Sequence, residues 1–462
     1  MTLNDGMPMG TTGAMGAKPG ASEIAAMNER PLSPRQRYAA LLVAFGEFID
    51  GYDLLVMGAA LILLKPQFNL SPQEVGLLGA STFLGAIVGL LIFGDMSDRL
   101  GRRSIFIVNL FLFVIFAIGS ALVTSVTWLF VMRFLVGVGI GMDIPTSTAY
   151  LAEIAPSKQR GAILGSLLNM MWVMGAIVAT LLAIPLLYVF GDQAWRWMLG
   201  LAALPALLTL LARQGLPESP RWLIAHGRID EAREAFHMFG IEPSADTLIT
   251  KSKETGSYGE LFGPRYRKRV LLVGLVFALN CFSGSITSIA SPLVLNTVGA
   301  LSTNATLLFS AGVWGIGLVG TFVGSQLIDR IGRRKLCYIS AIPHAITALI
   351  LAFFAKDHPA VLIVGFFVLA FAVWTGISVL VWVWASELFP THLRGRSQGF
   401  CNACCRLAIS ANIFVVPIAL AGFGFSLYIG LLSIPMLLLS FIVSRYDFFD
   451  GGQKDLDELA AA

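Results

Sequence analysis

Charge is scarce in this sequence. Only 13% of the 462 residues are Asp, Glu, Lys or Arg, while 56% are hydrophobic. A soluble protein carries about 25% charged residues, which cover its water-facing surface. We therefore predict that most of the surface of this protein faces lipid. The net charge of +4 is also too small to indicate a nucleic-acid-binding protein.

Cysteine and histidine are equally scarce, with five of each. Cys401, Cys404 and Cys405 share one apolar segment, but no histidine and no second cysteine pair accompanies them. Packing as small apolar side chains is therefore favoured over a metal or redox site. The chain lacks paired histidine ligands, a nucleophile motif and a phosphate-binding loop, which argues against an integral-membrane enzyme. We expect no metal and no cofactor.

What the chain does contain is a duplication. The hexapeptide Asp-Arg-Leu-Gly-Arg-Arg at 98–103 recurs as Asp-Arg-Ile-Gly-Arg-Arg at 329–334, which is 231 positions later. The motif Ala-Glu-Ile-Ala-Pro at 152–156 recurs as Ser-Glu-Leu-Phe-Pro at 386–390, which is 234 positions later. Two charged motifs repeated at nearly the same offset, with matching hydropathy around them, predict a duplicated membrane half.

Each half contains six apolar stretches of about 20 residues, the length that a bilayer-spanning helix needs. We call these stretches spans 1 to 12. Spans 1 to 6 are predicted near 38–64, 74–97, 103–123, 128–152, 161–188 and 195–213. Spans 7 to 12 are predicted near 269–294, 304–328, 335–355, 360–386, 395–421 and 424–444.

Three polar regions flank the two halves, which cover 35–213 and 269–445. Residues 1–34 are rich in Gly, Met, Ala and Pro, and we predict a disordered tail there. Residues 446–462 form a second tail. The linker 214–268 has apolar residues at helical spacing on a charged strip, which predicts short amphipathic helices on the membrane surface.

The loops differ in their content of Lys and Arg. The loops after even-numbered spans hold most of the basic residues, whereas the other loops hold little beyond Lys65, Arg196 and Lys356. Basic loops stay on the cytoplasmic side of a membrane. We therefore predict that both tails and the linker are cytoplasmic. We expect a monomer in the plasma membrane, which is the inner membrane in a bacterium.

Charged side chains inside the predicted spans need partners, because an ionised group in the bilayer costs a few kcal/mol. Glu47, Asp50 and Asp53 are spaced by three on span 1 and form one acidic stripe. Arg133 on span 4 lies at a depth from which it can reach Asp53. We predict an Asp53–Arg133 ion pair. A purely structural pair and a gating role for Glu47 are the alternatives.

Arg406 lies near the middle of span 11, with no carboxylate within four residues on its own helix. A guanidinium stays charged, so its partner must be a span 1 carboxylate or an anionic substrate. Asp143 on span 4 is a second candidate for substrate binding, and capping of a kink before Pro145 is its alternative role. The full set of substrate-binding candidates is Arg406, Asp143, Trp382, Asn280 and Phe282. Trp172 and Trp314 could also stack on a substrate, although core packing is the alternative for all these aromatic side chains.

The repeated loop motifs supply candidates for a cytoplasmic ion-pair gate. A carboxylate in a short turn can hold a neighbouring helix end in one conformation and release it in another. We expect Glu153 to face Arg160 and Glu387 to face Arg394. The gating candidates are Asp98, Arg99, Arg102, Arg103, Glu153, Arg160, Asp329, Arg330, Arg333, Glu387 and Arg394. Holding the loops in the cytoplasm is the alternative role of the basic members.

Twelve spans in two halves, together with both loop motifs, resemble the major facilitator superfamily over about 35–445. The resemblance implies an all-α integral membrane protein with two six-helix bundles that rock about a central site lined by spans 1, 4, 7 and 10. Asp50-Gly51-Tyr52-Asp53 resembles the span 1 signature of aromatic acid:proton symporters. The motifs at 217–221 and 387–390 are similar to those of sugar porters and organic-ion carriers alike. In sugar porters, the positions of Asp53 and Arg133 form the proton-coupling pair.

Span 7 departs from the sugar-porter pattern. It reads Asn280-Cys281-Phe282-Ser283-Gly284, where sugar porters carry a Gln-Gln pair before Ser-Gly and two tyrosines after it. We therefore predict a proton-coupled symporter that imports a small organic acid, such as an aromatic monocarboxylate, with the proton gradient as its energy source. Arg406 would bind the carboxylate, Asp53 and Arg133 would couple to the proton, and Asp50 and Glu47 are secondary coupling candidates. A sugar or polyol:proton symporter and an uncoupled organic-ion carrier or exporter are the alternatives.

Overall fold

The computed structural model describes residues 32–155, 167–242, 257–287, 291–298, 301–390 and 393–450. The first half consists of Pro34–Gln67 (span 1), Pro72–Leu100 (span 2), Arg102–Leu122 (span 3), Val126–Ile154 (span 4), Leu168–Phe190 (span 5) and Ala194–Gly200 with Ala203–Arg213 (span 6). The second half consists of Arg267–Gly284 with Ser291–Val298 (span 7), Thr303–Ile331 (span 8), Arg333–Phe354 (span 9), Pro359–Thr375 with Ile377–Glu387 (span 10), Arg394–Gly422 (span 11) and Gly424–Leu431 with Ser433–Arg445 (span 12).

Ten helical stretches in the described part of the chain are long and apolar enough to cross a membrane. One of them, Leu168–Arg213, contains both span 5 and span 6, which join at Gly191 in a left-handed backbone conformation (φ +53°). Span 1, with its three carboxylates, completes the set of twelve. The sequence-based bounds agree with these helices to within a few residues, except that the predicted start of span 5 near 161 lies outside the described residues.

Local signals fix the helix ends. Ser33 and Ser71 cap spans 1 and 2 through capping boxes, in which the serine hydroxyl accepts from a backbone N–H and a Gln or Glu side chain accepts in return. Gly101 (φ +93°) separates span 2 from span 3, and Gly332 (φ +84°) separates span 8 from span 9. Other residues rarely adopt this conformation, so the repeated glycine sets the same tight turn in both halves.

Glycine also brings helix backbones together inside each half. A Cβ atom at Gly137 would collide with the carbonyl oxygen of Thr82, so spans 2 and 4 touch there. In the second half, a Cβ atom at Gly324 would collide with the carbonyl oxygen of Thr375, which joins spans 8 and 10 in the corresponding way. Small residues permit this close approach in membrane helices.

The two faces of the bundle differ in how the halves meet. We call the face that holds the linker, the start of span 1 and the end of span 12 the linker side, and we call the opposite face the distal side. Toward the distal side, Gly76 and Gly79 of span 2 lie against Phe414 and Ile413 of span 11, and one apolar core runs through both halves. On the linker side, each half has a separate apolar cluster. The halves are thus closed on the distal side.

The linker folds against the protein. Its described helices are Pro220–Ala225, Ile229–Met238 and Tyr258–Leu261. The apolar face of the second helix, including Phe236, packs on Trp222 and Leu223. Ser33, at the start of span 1, donates to the carbonyl of Phe239 (2.7 Å). The predicted linker helices are therefore present. The apolar face of the second helix packs on Trp222 and Leu223 and not on a membrane surface.

Candidate functional site

A buried ion pair joins spans 1 and 4 in the first half. Arg133 donates to both carboxylate oxygens of Asp53, from Nη1 to Oδ1 (2.8 Å) and from Nη2 to Oδ2 (2.7 Å). Nη2 also donates to the backbone carbonyl of Asp53 (3.0 Å). Both side chains are fully buried. The predicted contact is confirmed, and its bidentate geometry is the arrangement that offsets the cost of burying two charges. Its role in proton coupling stays a prediction.

A second buried ion pair was not predicted. Asp143 accepts from Arg213 (2.8 Å), Asn109 (2.7 Å) and Ser147 (2.8 Å), and Arg213 also donates to the carbonyl of Val43 (2.9 Å). These contacts join spans 1, 3, 4 and 6. Three donors thus engage the carboxylate of Asp143, which gives it a structural role, and its predicted role in substrate binding stays a prediction. The role of Arg213 was not predicted because this residue lies at the boundary between span 6 and the linker.

Arg406 lies at the interface between the halves. Its guanidinium is 5.6 Å from the centre of the Phe83 ring on span 2, and its side chain is buried. Among the described residues, no carboxylate lies within ion-pair distance of it. The expected partner of Arg406, a span 1 carboxylate or an anionic substrate, therefore stays a prediction.

Many buried polar atoms have no hydrogen-bond partner in the described part of the chain. Those within the spans include Asp50 Oδ2, Thr82 Oγ1, Trp172 Nε1, Asn280 Oδ1, Trp314 Nε1, Thr375 Oγ1 and Arg406 Nε, which come from seven spans in both halves. Leaving a buried polar group without a partner costs about 1 to 3 kcal/mol. Such atoms are candidates for hydrogen bonds to polar ligand atoms or to water.

The remaining predicted substrate residues lie on spans 7 and 10. Asn280 is buried, with its amide nitrogen 4.0 Å from the sulfur of Cys281. Phe282 is half-buried and packs against the large apolar core. Trp382 is 40% exposed and contacts Phe277 edge-on (5.6 Å between ring centres). Their roles in substrate binding stay predictions.

A tryptophan that the sequence analysis did not single out is part of the interface. Trp374 of span 10 lies 6.3 Å from Trp172 of span 5 and 5.6 Å from Trp314 of span 8, measured between ring centres. Trp172 and Trp314 are 5.4 Å apart. The available signal was the position of Trp374 directly before Thr375-Gly376, where span 10 is interrupted.

The loop motifs form the same ion pair twice on the linker side. Arg102 binds Glu153 (Nη2 to Oε1, 3.0 Å), and Arg333 binds Glu387 (Nη2 to Oε1, 3.0 Å). Both contacts link the start of the third span of a half to the end of its fourth span. The repetition of one contact at both copies of the motif supports the predicted duplication.

The next arginine of each motif reaches the chain that follows the sixth span of its half. Arg103 donates to the carbonyl of Gln214 (2.8 Å), and Arg334 donates to the carbonyl of Tyr446 (3.0 Å). In the first half, Glu218 also accepts from the backbone N–H groups of Arg102 and Arg103 (3.0 and 3.1 Å). These contacts fasten the motif loop to the base of its own bundle.

Some of the predicted gating residues lie outside the described part of the structure. Arg160 lies outside the described residues, and so do the side chains of Asp98, Asp329 and Arg394. Arg99 and Arg330 are exposed. The described partners of Glu153 and Glu387 are Arg102 and Arg333, which follow the turns at Gly101 and Gly332. The expected contacts of Glu153 with Arg160 and of Glu387 with Arg394 involve side chains outside the described residues and stay predictions.

Twelve membrane helices in two repeated halves, with buried charges at their junction, define a multi-pass membrane transporter that carries a small molecule. The model of the family described as "Sugar (and other) transporter" matches residues 39–459. The chain therefore belongs to the sugar transporter family of the major facilitator superfamily.

Individual relatives agree with this assignment. The chain is 31% identical to the inner membrane metabolite transport protein YgcS of Escherichia coli over 90% of this chain and 92% of the relative. It is 32% identical to the arabinose-proton symporter of Bacillus subtilis over 82% of this chain and 84% of that protein. The inward-open structure of the xylose transporter XylE from E. coli has the same fold, with a TM-score of 0.74 at 24% identity over 92% of this chain and 99% of XylE.

These comparisons confirm the predicted superfamily and the twelve-helix fold. They correct the predicted branch, because the matching family is that of sugar transporters and not that of aromatic acid symporters. The weak hydrogen-bonding set on span 7 misled the sequence analysis. Polar side chains on other spans, such as Thr82 of span 2 and Thr375 of span 10, face the interior as well, and their contribution could not be counted from span 7 alone.

Proposed function

We propose that the protein is a proton-coupled symporter that imports a sugar or polyol by alternating access, with both tails on the cytoplasmic side. The observation that carries this proposal is the fully buried, bidentate Asp53–Arg133 pair in a chain of the sugar transporter family. The pair joins spans 1 and 4 of the first half.

The chemistry of the pair suggests how a proton drives the cycle. Protonation of Asp53 removes one of two buried charges and leaves Arg133 without its counter-ion. An unpaired buried charge is strongly unfavourable, so protonation and a rearrangement of spans 1 and 4 are linked. Asp50 and Glu47, on the same face of span 1, are further carriers in this proposal.

The packing on the two sides of the protein suggests the side toward which the central site opens. The halves share one core toward the distal side and have separate clusters on the linker side. With the positive-inside orientation, this arrangement corresponds to a carrier closed toward the outside. The pairs Arg102–Glu153 and Arg333–Glu387 hold the helix ends that border the linker side of each half.

Transport of a small organic acid is a second candidate function, and Arg406 is the observation that favours it. A buried guanidinium with no ion pair among the described residues can accept a carboxylate. Protonation of Asp50 and Glu47 would then remove the negative charge that opposes an anion at this place.

Uptake into proteoliposomes tests both candidates. Labelled D-xylose, L-arabinose, D-glucose and benzoate are supplied with and without an inward proton gradient. We expect gradient-driven accumulation of a sugar, and we expect Asp53→Asn to abolish accumulation while counterflow exchange of the same sugar continues. Asp192→Asn, on an exposed turn of the distal side, is the matched control. Uptake of benzoate alone would replace the sugar proposal with the acid proposal, and loss of both accumulation and exchange in Asp53→Asn would make Asp53 structural.

A further inference from the structure

Three tryptophans from three different spans meet where the halves join. Trp172 belongs to the first half, and Trp314 and Trp374 belong to the second. Their ring centres lie 5.4 to 6.3 Å apart, with Trp172 and Trp314 edge to face. We call these three residues the tryptophan cluster. Separations in this range are favourable for aromatic contacts.

Glycines place the cluster at the level of the acidic stripe. A Cβ atom at Gly51 would collide with the backbone carbonyl of Trp172, so Trp172 lies beside the residue that follows Asp50. On span 8, a Cβ atom at Gly317 would come within 3.0 Å of Cδ1 of Trp374. Gly317 lies one turn after Trp314 and makes room for the third ring. The backbone of Trp172 therefore lies against span 1 directly after Asp50, and the ring of Trp374 lies against span 8.

The indole N–H groups of the cluster set it apart from other tryptophans of the chain. Trp195 donates to Gln67 (2.7 Å), and Trp384 donates to the carbonyl of Phe449 (3.1 Å). In contrast, Nε1 of Trp172 and Nε1 of Trp314 are buried without an acceptor in the described part of the chain, and Trp314 is only 1% exposed. A buried indole N–H normally finds a partner, so an acceptor from a ligand is expected here.

The unpartnered buried atoms of spans 1, 5, 7 and 8 include both donors and acceptors. The two indoles are donors only, whereas Oδ2 of the Asp50 carboxylate and Oδ1 of the Asn280 amide are acceptors. A carboxylate ligand offers only acceptors and could satisfy only the indoles. A hydroxyl group both donates and accepts, so a ligand with several hydroxyl groups can satisfy unpartnered atoms of either kind.

We infer that the tryptophan cluster is a subsite for a polyhydroxylated ligand. Its rings contact the apolar C–H face of the ligand, while Trp172 and Trp314 donate to hydroxyl oxygens. This inference rests on the proposed sugar transport and specifies where and how the sugar is held. It also assigns specificity to residues from both halves, so that a bound sugar links the halves through spans 5 and 8.

Equilibrium binding to the purified full-length protein provides the test. The probe is the member of a panel of D-xylose, L-arabinose, D-glucose and myo-inositol that binds tightest, together with its monodeoxy analogues. Trp172→Phe and Trp314→Phe keep an aromatic ring and remove only the N–H group. We expect each to weaken binding about threefold to tenfold, the effect of one lost hydrogen bond. Trp128→Phe, on an exposed side chain at the start of span 4, should leave binding unchanged.

The analogues distinguish a direct contact from a packing role. If Trp314 donates to one hydroxyl, the analogue that lacks this hydroxyl should bind Trp314→Phe and the wild type equally, because the two losses are not additive. A loss of affinity that is the same for every analogue, or no loss in either variant, would overturn the inference while leaving sugar transport intact. Failure of the wild type to bind any sugar of the panel would instead overturn the proposed function, and this inference with it.

Discussion

Replacing Arg213 by methionine separates two roles of Asp143, as part of a structural network or as a ligand for substrate. The guanidinium of Arg213 is fully buried, donates to Asp143 and Val43, and lies 4.5 Å from the ring of Phe106. Methionine retains most of the apolar stem but leaves the carboxylate of Asp143 buried without its counter-ion. Asn109 and Ser147 still donate to it, but neither supplies a charge.

The size of the effect follows from burial. Removing one partner of a buried ion pair costs about 3 to 5 kcal/mol, because an uncompensated charge stays inside. For a unit the size of one half, each kcal/mol corresponds to about 2 to 4 °C in Tm. We therefore expect Arg213→Met to lower the Tm by at least about 6 °C. Arg228→Met, in the exposed Arg228–Glu231 pair, is the control and should change the Tm little.

The double variant Arg213→Met/Asp143→Leu sharpens this test. It removes both charges, so we expect it to be more stable than Arg213→Met alone, which is the sign of coupling in a double-mutant cycle. Thermal unfolding of the detergent-solubilised protein measures all variants. An unchanged Tm in Arg213→Met would refute the structural role, and a loss of sugar binding in that variant at unchanged Tm would return Asp143 to the substrate site.

Three further perturbations test other parts of the structure. Gly137→Ala should lower the Tm, because its Cβ meets the carbonyl of Thr82, whereas Gly422→Ala, with no atom within 4 Å, should not. Glu153→Gln and Glu387→Gln each weaken a linker-side ion pair, so we expect both to change the uptake rate by a similar factor while equilibrium sugar binding stays the same. If organic acids compete for the site, Arg406→Gln should abolish their inhibition of sugar uptake, and inhibition that survives would exclude Arg406 as the anion site.

Periodicity and charge were sufficient to predict the spans, the duplication and the Asp53–Arg133 contact. These features depend on helical geometry, on the cost of placing a charge in lipid and on the position of a residue along its span. All three can be estimated from a single sequence. The contact between Glu153 and Arg102 was not predictable in the same way. The glycine at 101 marks the turn, but the contact also depends on the angle between spans 3 and 4, which has no local signal.

The site between the halves was the least accessible to sequence reasoning. Asp143 was assigned to substrate because its partner Arg213 lies 70 positions away at the end of another span. Trp374 was overlooked because its neighbours in space, Trp172 and Trp314, come from distant parts of the chain. Rotation of each helix about its axis decides which side chains converge, and neighbouring spans fix that rotation together.

The ion pairs Arg102–Glu153 and Arg333–Glu387 each lie within one half, as do the contacts of Arg103 and Arg334 with the chain after the sixth span. A swing of one half against the other can therefore leave all four interactions intact. The contacts that must change in the proposed transport cycle are therefore those of the apolar core shared by the two halves and those made with a bound substrate. In the proposed alternating access, each half would move as one unit that keeps its own ion pairs.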